Sequence, residues 1–125
     1  TMTRSMRALI RDPRQVTDAL MDEITTAAAQ PGGFNAFEQW QRDQVRWNRL
    51  RTDYSGRLSS FPRPALIVHG DRDPGVPVAR ARAAAELIPD AELKIIAGAG
   101  HWVQRDRPDA VLEAMAGFLG GVVGR

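Results

Sequence analysis

Two short loops of this sequence hold residues that could perform acid–base chemistry. Asp73 lies in a stretch rich in Gly, Pro and Asp, residues 70–77, and His101 lies in a glycine-punctuated stretch, residues 97–104. A carboxylate beside an imidazole fixes the tautomer of the ring and stabilises its charged form, so the ring can take a proton from a nucleophile. We therefore predict that Asp73 and His101 form a catalytic acid–histidine pair.

The same loops allow other interpretations. Asp71 competes with Asp73 as the acid, and His69, which ends an apolar run, is expected to be packed or hydrogen-bonded rather than reactive. These two residues and the predicted pair could together bind a metal ion, because imidazole and carboxylate ligands suit hydrolytic metals. We expect no metal and no cofactor. Trp102 either lines a substrate pocket or anchors its loop, and it is the candidate substrate-binding residue.

Short apolar and helical segments must bring these loops together. The run Ala65-Leu66-Ile67-Val68 has the pattern of a strand buried on both faces, and a second strand is predicted over residues 92–96. Helices are predicted over residues 78–88 and 108–119, the second opened by Asp106. This order builds a parallel sheet through a right-handed crossover, and functional loops follow the carboxyl ends of such strands. The predicted fold class is therefore α/β.

The first half of the chain is predicted to be helical. Asp12-Pro13 is typical of a helix start, and apolar residues at helical spacing extend this helix as far as Pro31. A second helix is predicted over residues 35–50, and a connection that ends in prolines follows it. We accordingly divide the chain into a helical segment, residues 1–60, and a strand-helix-strand-helix segment, residues 61–125.

Two parallel strands do not make a self-sufficient sheet. Both edges would be unpaired, and one crossover helix covers too little of the sheet. We therefore expect the second segment to be the C-terminal part of a doubly wound parallel sheet, incomplete on its own. We also expect the chain to associate with a missing N-terminal half, or with a copy of itself by exchanging elements.

Several motifs occur in an order that resembles the C-terminal segment of the α/β-hydrolase superfamily. Gly70-Asp71-Arg72-Asp73-Pro74-Gly75-Val76-Pro77 is similar to that family's acid loop, Gly-x-x-Asp-x-x-Val/Ile-Pro. Gly100-His101-Trp102-Val103-Gln104 is similar to its histidine loop, in a form reminiscent of carbon–carbon bond hydrolases and epoxide hydrolases. The resemblance covers about half of the chain. It implies that Asp73 and His101 are the acid and the histidine of a nucleophile–acid–histidine triad.

The family's nucleophile elbow is missing from this sequence. The elbow, Gly-x-Ser-x-Gly, precedes the acid and the histidine, whereas none of the serines here has that context: Ser5, Ser55, Ser59 and Ser60. The resemblance therefore implies a nucleophile upstream of this chain, and residues 4–58 are similar to the end of a helical cap.

The resemblance also implies hydrolysis of an ester, amide, carbon–carbon or epoxide bond in a small organic substrate. We expect this chain alone to be inactive. The alternative is a non-catalytic binding or assembly module with vestigial hydrolase loops.

Composition argues against several other classes of protein. The sequence has no cysteine, so it forms neither disulfides nor thiolate metal sites. No apolar run approaches the roughly 20 residues that span a bilayer, and we expect a cytoplasmic protein with no membrane partner. The 17 basic side chains nearly balance the 15 acidic ones, so we expect no nucleic-acid partner. The arginines between residues 42 and 51, around Trp47, are the basis of the alternative nucleic-acid interpretation.

Overall fold

The computed structural model describes residues 2–33, 35–47 and 49–124. Its helices are α1 Met2–Leu9, α2 Asp18–Ala29, α3 Asn35–Gln44, α4 Val78–Leu87, α5 Val103–Asp106 and α6 Pro108–Val123. Its strands are β1 Val45–Arg46, β2 Arg49–Leu50, β3 Ala65–Gly70 and β4 Ala91–Ile96. The chain forms two compact units, Thr1–Val16 with Arg57–Arg125 and Thr17–Gly56. The assignment of residues 1–60 to a cap stays a prediction.

Strands β3 and β4 form the parallel sheet of the first unit. Their register places Gly70 opposite Ile96 at the carboxyl end. Helix α4 crosses between the strands and packs on both, so the predicted order of strand, helix, strand and helix is confirmed. Because the strands are parallel, residues 71–77 and 97–102 follow the strands at the same end of the sheet, the carboxyl end. We name these segments the acid loop and the histidine loop.

The core of the first unit is small, and its sheet is only partly covered. Ile10 and three alanines are its buried apolar side chains in the described part of the chain, whereas most of β3 is half-buried. Among the described residues, β3 has β4 as its only strand neighbour. An open apolar groove of about 400 Å³ lies beside β3 and α6, lined by Leu66, Val68, Met115, Phe118 and Leu119. The sheet therefore presents an unpaired edge and an apolar surface.

The predicted continuous helix from Asp12 to Pro31 is wrong at its start. The side chain of Asp12 caps a separate 3₁₀ turn, Pro13–Gln15. Helix α2 begins after Thr17, because the Thr17 hydroxyl accepts the N–H of Leu20 at 3.2 Å and forms a second N-cap. Two capping side chains close together thus produce two short elements where apolar spacing alone predicts one helix.

The predicted helix over residues 35–50 is too long. Helix α3 ends at Gln44, and β1 and β2 then pair as a short antiparallel hairpin. The Gln44 carbonyl accepts the N–H of Arg51 at 2.6 Å, and its side-chain oxygen accepts the N–H of Thr52 at 3.3 Å. These bonds close the helix end from across the hairpin, so the aromatic spacing that continues past Gln44 does not continue the helix.

The last helix also differs from its predicted boundaries. Helix α6 starts at Pro108 as predicted and extends to Val123, and the four-residue helix α5 precedes it. Asp106 does not open α6; it ends α5, and it is 1% exposed. Within the described ranges, no helix combines the length and the apolar character needed to cross a membrane.

Candidate active site

The acid loop folds around the carboxylate of Asp73. Oδ1 of Asp73 accepts the backbone N–H of Gly75 at 2.7 Å and that of Val76 at 3.0 Å. Asp residues favour such local turns because the side chain replaces a backbone acceptor. The side chain of Asp73 is 4% exposed. The turn therefore holds one carboxylate oxygen and leaves the other, Oδ2, directed toward the histidine loop.

Close backbone contact joins the histidine loop to the end of β3. A Cβ atom on Gly70 would lie 2.4 Å from the carbonyl oxygens of Ala99 and Gly100, so a larger residue does not fit there. Gly98 has a φ of +71°, in the left-handed region that favours glycine. Oδ1 of Asp71 accepts the N–H of Gly98 at 2.7 Å. The loop is thus held in position before it reaches His101.

The two predicted site residues touch. Nδ1 of His101 lies 2.9 Å from Oδ2 of Asp73, and the imidazole is 40% exposed. An ionised carboxylate only accepts hydrogen bonds, so Nδ1 is the donor. In the neutral ring Nε2 then carries the lone pair and can accept a proton. The predicted juxtaposition is confirmed, whereas the catalytic roles of the two residues stay a prediction.

The environment of Asp73 favours its ionised form. Burial alone raises the pKa of this carboxyl, but hydrogen bonds from the Val76 N–H, the His101 ring and the Gly75 N–H outweigh that effect. The pKa of Asp73 therefore lies below its ordinary value. Near neutral pH the group is a carboxylate, the form that orients an imidazole.

The structure distinguishes Asp73 from the competing acid. Asp73 bonds the ring of His101, whereas Asp71 bonds the backbone of Gly98. His69 is hydrogen-bonded, as expected, with Nε2 at 3.0 Å from the Val76 carbonyl oxygen. In residues 2–33, 35–47 and 49–124, no cluster of three or more His, Cys, Asp or Glu side chains has an arrangement that could hold a metal ion. The alternative metal site is therefore not formed by these residues.

A buried carboxylate that the sequence patterns do not reveal supports the histidine loop. Oδ2 of Asp106 accepts the N–H of Gly100 at 2.6 Å and that of Arg11 at 2.8 Å. Its Oδ1 accepts the N–H of Asp12 at 2.8 Å. All three donors are backbone groups, and two lie near the other end of the chain, so side-chain spacing gives no signal for this role. Asp106 ties the residue before His101 to the N-terminal segment.

The N-terminal segment carries a second set of charged contacts. Asp12 accepts three hydrogen bonds from Arg14, two from the guanidinium and one from the backbone N–H, and lies 3.0 Å from Nη1 of Arg107. The Arg14 side-chain and backbone hydrogen bonds hold the pKa of Asp12 well below its ordinary value, against the effect of burial. The N–H of Trp102 donates to the Leu9 carbonyl at 3.2 Å. This bond anchors the loop, and the substrate-binding role of Trp102 stays a prediction.

Comparison with known proteins identifies the class to which this fold and pair belong. The model of the alpha/beta hydrolase family matches residues 2–114. The chain therefore belongs to the alpha/beta hydrolase family, and the predicted resemblance and fold class are confirmed.

The relatives and the solved structure described here match between 72% and 95% of this chain. Epoxide hydrolase A of Mycobacterium tuberculosis is 37% identical over 92 residues, or 72% of this chain and 28% of that protein. The 2-hydroxy-6-oxo-6-(2'-aminophenyl)hexa-2,4-dienoic acid hydrolase of Metapseudomonas resinovorans is 31% identical over 121 residues, or 94% of this chain and 40% of that protein. The crystal structure of CarC, a serine hydrolase involved in carbazole degradation, matches with a TM-score of 0.82 and 29% identity. That match covers 95% of this chain and 46% of the other. This chain spans less than half the length of each of these proteins.

Proposed function

We propose that this chain supplies the acid and the histidine of a nucleophile–acid–histidine triad in a hydrolase. The observation that carries the proposal is the 2.9 Å contact between Nδ1 of His101 and Oδ2 of Asp73. That contact leaves Nε2 of His101 available as a base. The relatives, an epoxide hydrolase and the hydrolase of a substituted hexa-2,4-dienoic acid, support hydrolysis of a small organic molecule. We propose an ester, carbon–carbon or epoxide bond as the target. The nucleophile lies outside residues 1–125, since the sequence has no Gly-x-Ser-x-Gly elbow.

Each step of the proposed reaction moves one proton through His101. Nε2 takes the hydroxyl proton of a serine nucleophile as its oxygen bonds to the electrophilic carbon, and the imidazolium then gives that proton to the leaving group. Nε2 next takes a proton from water as the water oxygen bonds to the covalent intermediate, and it returns that proton to the serine oxygen as the bond to the nucleophile breaks. If the nucleophile is a carboxylate, His101 activates only the water. Asp73 stabilises the transient positive charge of the ring.

The test uses the complete polypeptide encoded by the reading frame that contains these residues. We expect it to hydrolyse a p-nitrophenyl ester, an aryl epoxide or a 2-hydroxy-6-oxohexa-2,4-dienoate. His101→Ala should lower kcat by about 10⁶-fold and Asp73→Asn by about 10⁴-fold, leaving the residual rate that binding and an oxyanion hole provide. Asp109→Asn, an exposed site on α6, is the matched control and should keep the rate. No turnover of any substrate, or full activity of His101→Ala, would reject the proposal.

The isolated 125-residue chain should show no detectable turnover of the same substrates. It holds the acid and the base but lacks the nucleophile elbow, and its proposed role requires groups from outside the chain. Robust hydrolysis by this chain, abolished by His101→Ala, would contradict the prediction that the isolated chain is inactive.

We also propose that the first half of an α/β-hydrolase covers the unpaired edge of β3 and the adjoining apolar groove. A second copy of this chain is the alternative occupant when that half is absent, because unpaired strand edges invite pairing. Light scattering should then show that the isolated chain forms dimers or larger species as its concentration rises. A monodisperse monomer that unfolds cooperatively at every concentration would contradict this association.

A further inference from the structure

The side chain of His69 is mostly buried and lies close to two residues of the acid loop. Its side chain is 14% exposed. Nε2 lies 3.0 Å from the Val76 carbonyl oxygen and 3.8 Å from Oδ2 of Asp73. The first distance is that of a hydrogen bond, and the second is too long for one. His69 therefore bonds the loop and sits beside the carboxylate oxygen that receives the bond from His101.

The acceptors around the two rings determine where each carries its proton. A carbonyl oxygen only accepts, so Nε2 of His69 must carry a hydrogen. A carboxylate oxygen likewise only accepts, so Nδ1 of His101 must carry one. The chain contains 2 histidines in all. When neutral, they are held in opposite tautomers, each with one ring nitrogen within 4 Å of Oδ2 of Asp73.

We infer that His69 is a positioning residue for Asp73 and, through it, for His101. Val76 connects them, because its carbonyl accepts from His69 while its N–H donates to Oδ1 of Asp73. The bond from His69 thus restrains the residue that restrains the carboxylate. This catalytic consequence rests on the proposed hydrolase function, whereas the geometry of the rings does not.

The first test is a spectroscopic one on the 125-residue chain. Long-range ¹H–¹⁵N spectra of the imidazoles, recorded where both rings are neutral, distinguish the two tautomers. We expect His69 to be the Nε2–H form and His101 the Nδ1–H form, with assignment by comparison with His101→Ala. The inference is overturned if His69 is found in the Nδ1–H form.

The second test varies the donor at position 69. In His69→Gln the side-chain amide N–H can reach the position that Nε2 of His69 occupies. In His69→Asn the side chain is one bond shorter, so its amide N–H does not reach that position, and His69→Leu has no donor. The downfield Nδ1–H signal of His101, which reports its bond to Asp73, should persist in His69→Gln and weaken in the other two. An unchanged signal in all three variants would show that His69 does not position the pair. If His69→Leu does not fold, the comparison of Gln with Asn gives the same answer.

The third test measures the complete polypeptide. A catalytic group that is displaced by up to about 1 Å can lower the reaction rate by about 100-fold. We expect His69→Leu and His69→Asn to lower kcat between about 10-fold and 100-fold with KM unchanged, and His69→Gln to recover most of it. Equal kcat in all variants would overturn the inference while leaving a His101-dependent hydrolase intact. Conversely, correct tautomers and a perturbed His101 signal in a polypeptide that cleaves nothing would reject the hydrolase but retain the positioning by His69.

Discussion

Replacement of Asp106 by asparagine tests how the histidine loop is held. The carboxylate accepts three backbone N–H groups, from Gly100 and Arg11 on Oδ2 and from Asp12 on Oδ1, and the residue is 1% exposed. An asparagine side chain has only one oxygen. In its better orientation that oxygen faces Gly100 and Arg11, and the NH₂ group faces the N–H of Asp12. At least one buried donor then loses its acceptor, and the other two bond to a neutral group.

The expected loss of stability follows from these contacts. A buried donor without an acceptor costs about 1 to 3 kcal/mol, and bonds to a charged acceptor are stronger than bonds to a neutral one. We therefore expect Asp106→Asn to lower the free energy of unfolding by about 2 to 4 kcal/mol. Asp106→Ala, which leaves all three donors without the carboxylate, should cost about 3 to 5 kcal/mol or more. Domains have total stabilities of only about 5 to 15 kcal/mol, so the alanine variant is expected to be close to unfolding.

The measurement is denaturant-induced unfolding followed by circular dichroism, with amide hydrogen exchange as the local readout. Asp109→Asn is the control, an exposed acid in the first turn of α6 that should change stability by less than about 1 kcal/mol. The amides of Gly100, Arg11 and Asp12 should exchange faster in Asp106→Asn. If the two Asn variants are equally stable and these amides keep their protection, the role assigned to Asp106 is wrong. If Asp106→Asn does not fold, rapid exchange of these amides in the unsubstituted chain gives the same refutation.

Two further predictions concern the acid loop and its contact with the histidine loop. Because the folded pKa of Asp73 lies below its ordinary value, the stability it contributes is complete above the unfolded pKa of about 3.9 and is lost as pH falls through the folded value. Unfolding measured from about pH 6 to pH 3 should show this loss, and the acid dependence should be smaller in Asp73→Asn; identical profiles would refute it. Gly70→Ala should cost about 1 to 3 kcal/mol, since its Cβ would lie 2.4 Å from two carbonyl oxygens. Gly117→Ala, with open space around its Cβ on α6, should instead stabilise by up to about 1 kcal/mol; equal thermal stabilities of the two variants would contradict the close contact.

The second half of the fold follows from sequence patterns because its signals are local and agree with one another. An apolar run predicts β3, an alanine-rich segment predicts α4, and parallel strands place their following loops at one edge. Those rules suffice to bring Asp73 beside His101, although neither loop alone indicates its neighbour. The first half is less predictable, since the second N-cap at Thr17 and the hydrogen bonds that end α3 at Gln44 override the apolar spacing.

The supports of the site are hidden from the sequence for a different reason. Asp106 binds backbone N–H groups of Arg11 and Asp12. Nearly every residue type has a backbone N–H, so the sequence does not indicate these donors. Asp106 lies between a loop and a proline, and this sequence context predicts an ordinary helix cap. His69 is equally ambiguous, because a histidine at a strand end has the same appearance whether it is packed or bonds a loop. Only the fold shows which acceptor each of these side chains meets.

Hydrogen bonds to carboxylates, rather than a large core, hold the acid and histidine loops in place. The buried apolar side chains of the first unit are mostly alanines in the described residues, and β3 has an unpaired edge there. Three carboxylates form hydrogen bonds that position these loops: Asp71 accepts from Gly98, Asp106 accepts from Gly100, and Asp73 accepts from the ring of His101. Since both partners in each of these bonds belong to the first unit, the geometry of the pair is a property of these residues themselves. In the proposed hydrolase, a covering half would therefore supply the nucleophile and the pocket, whereas the alignment of Asp73 with His101 is already present in these residues.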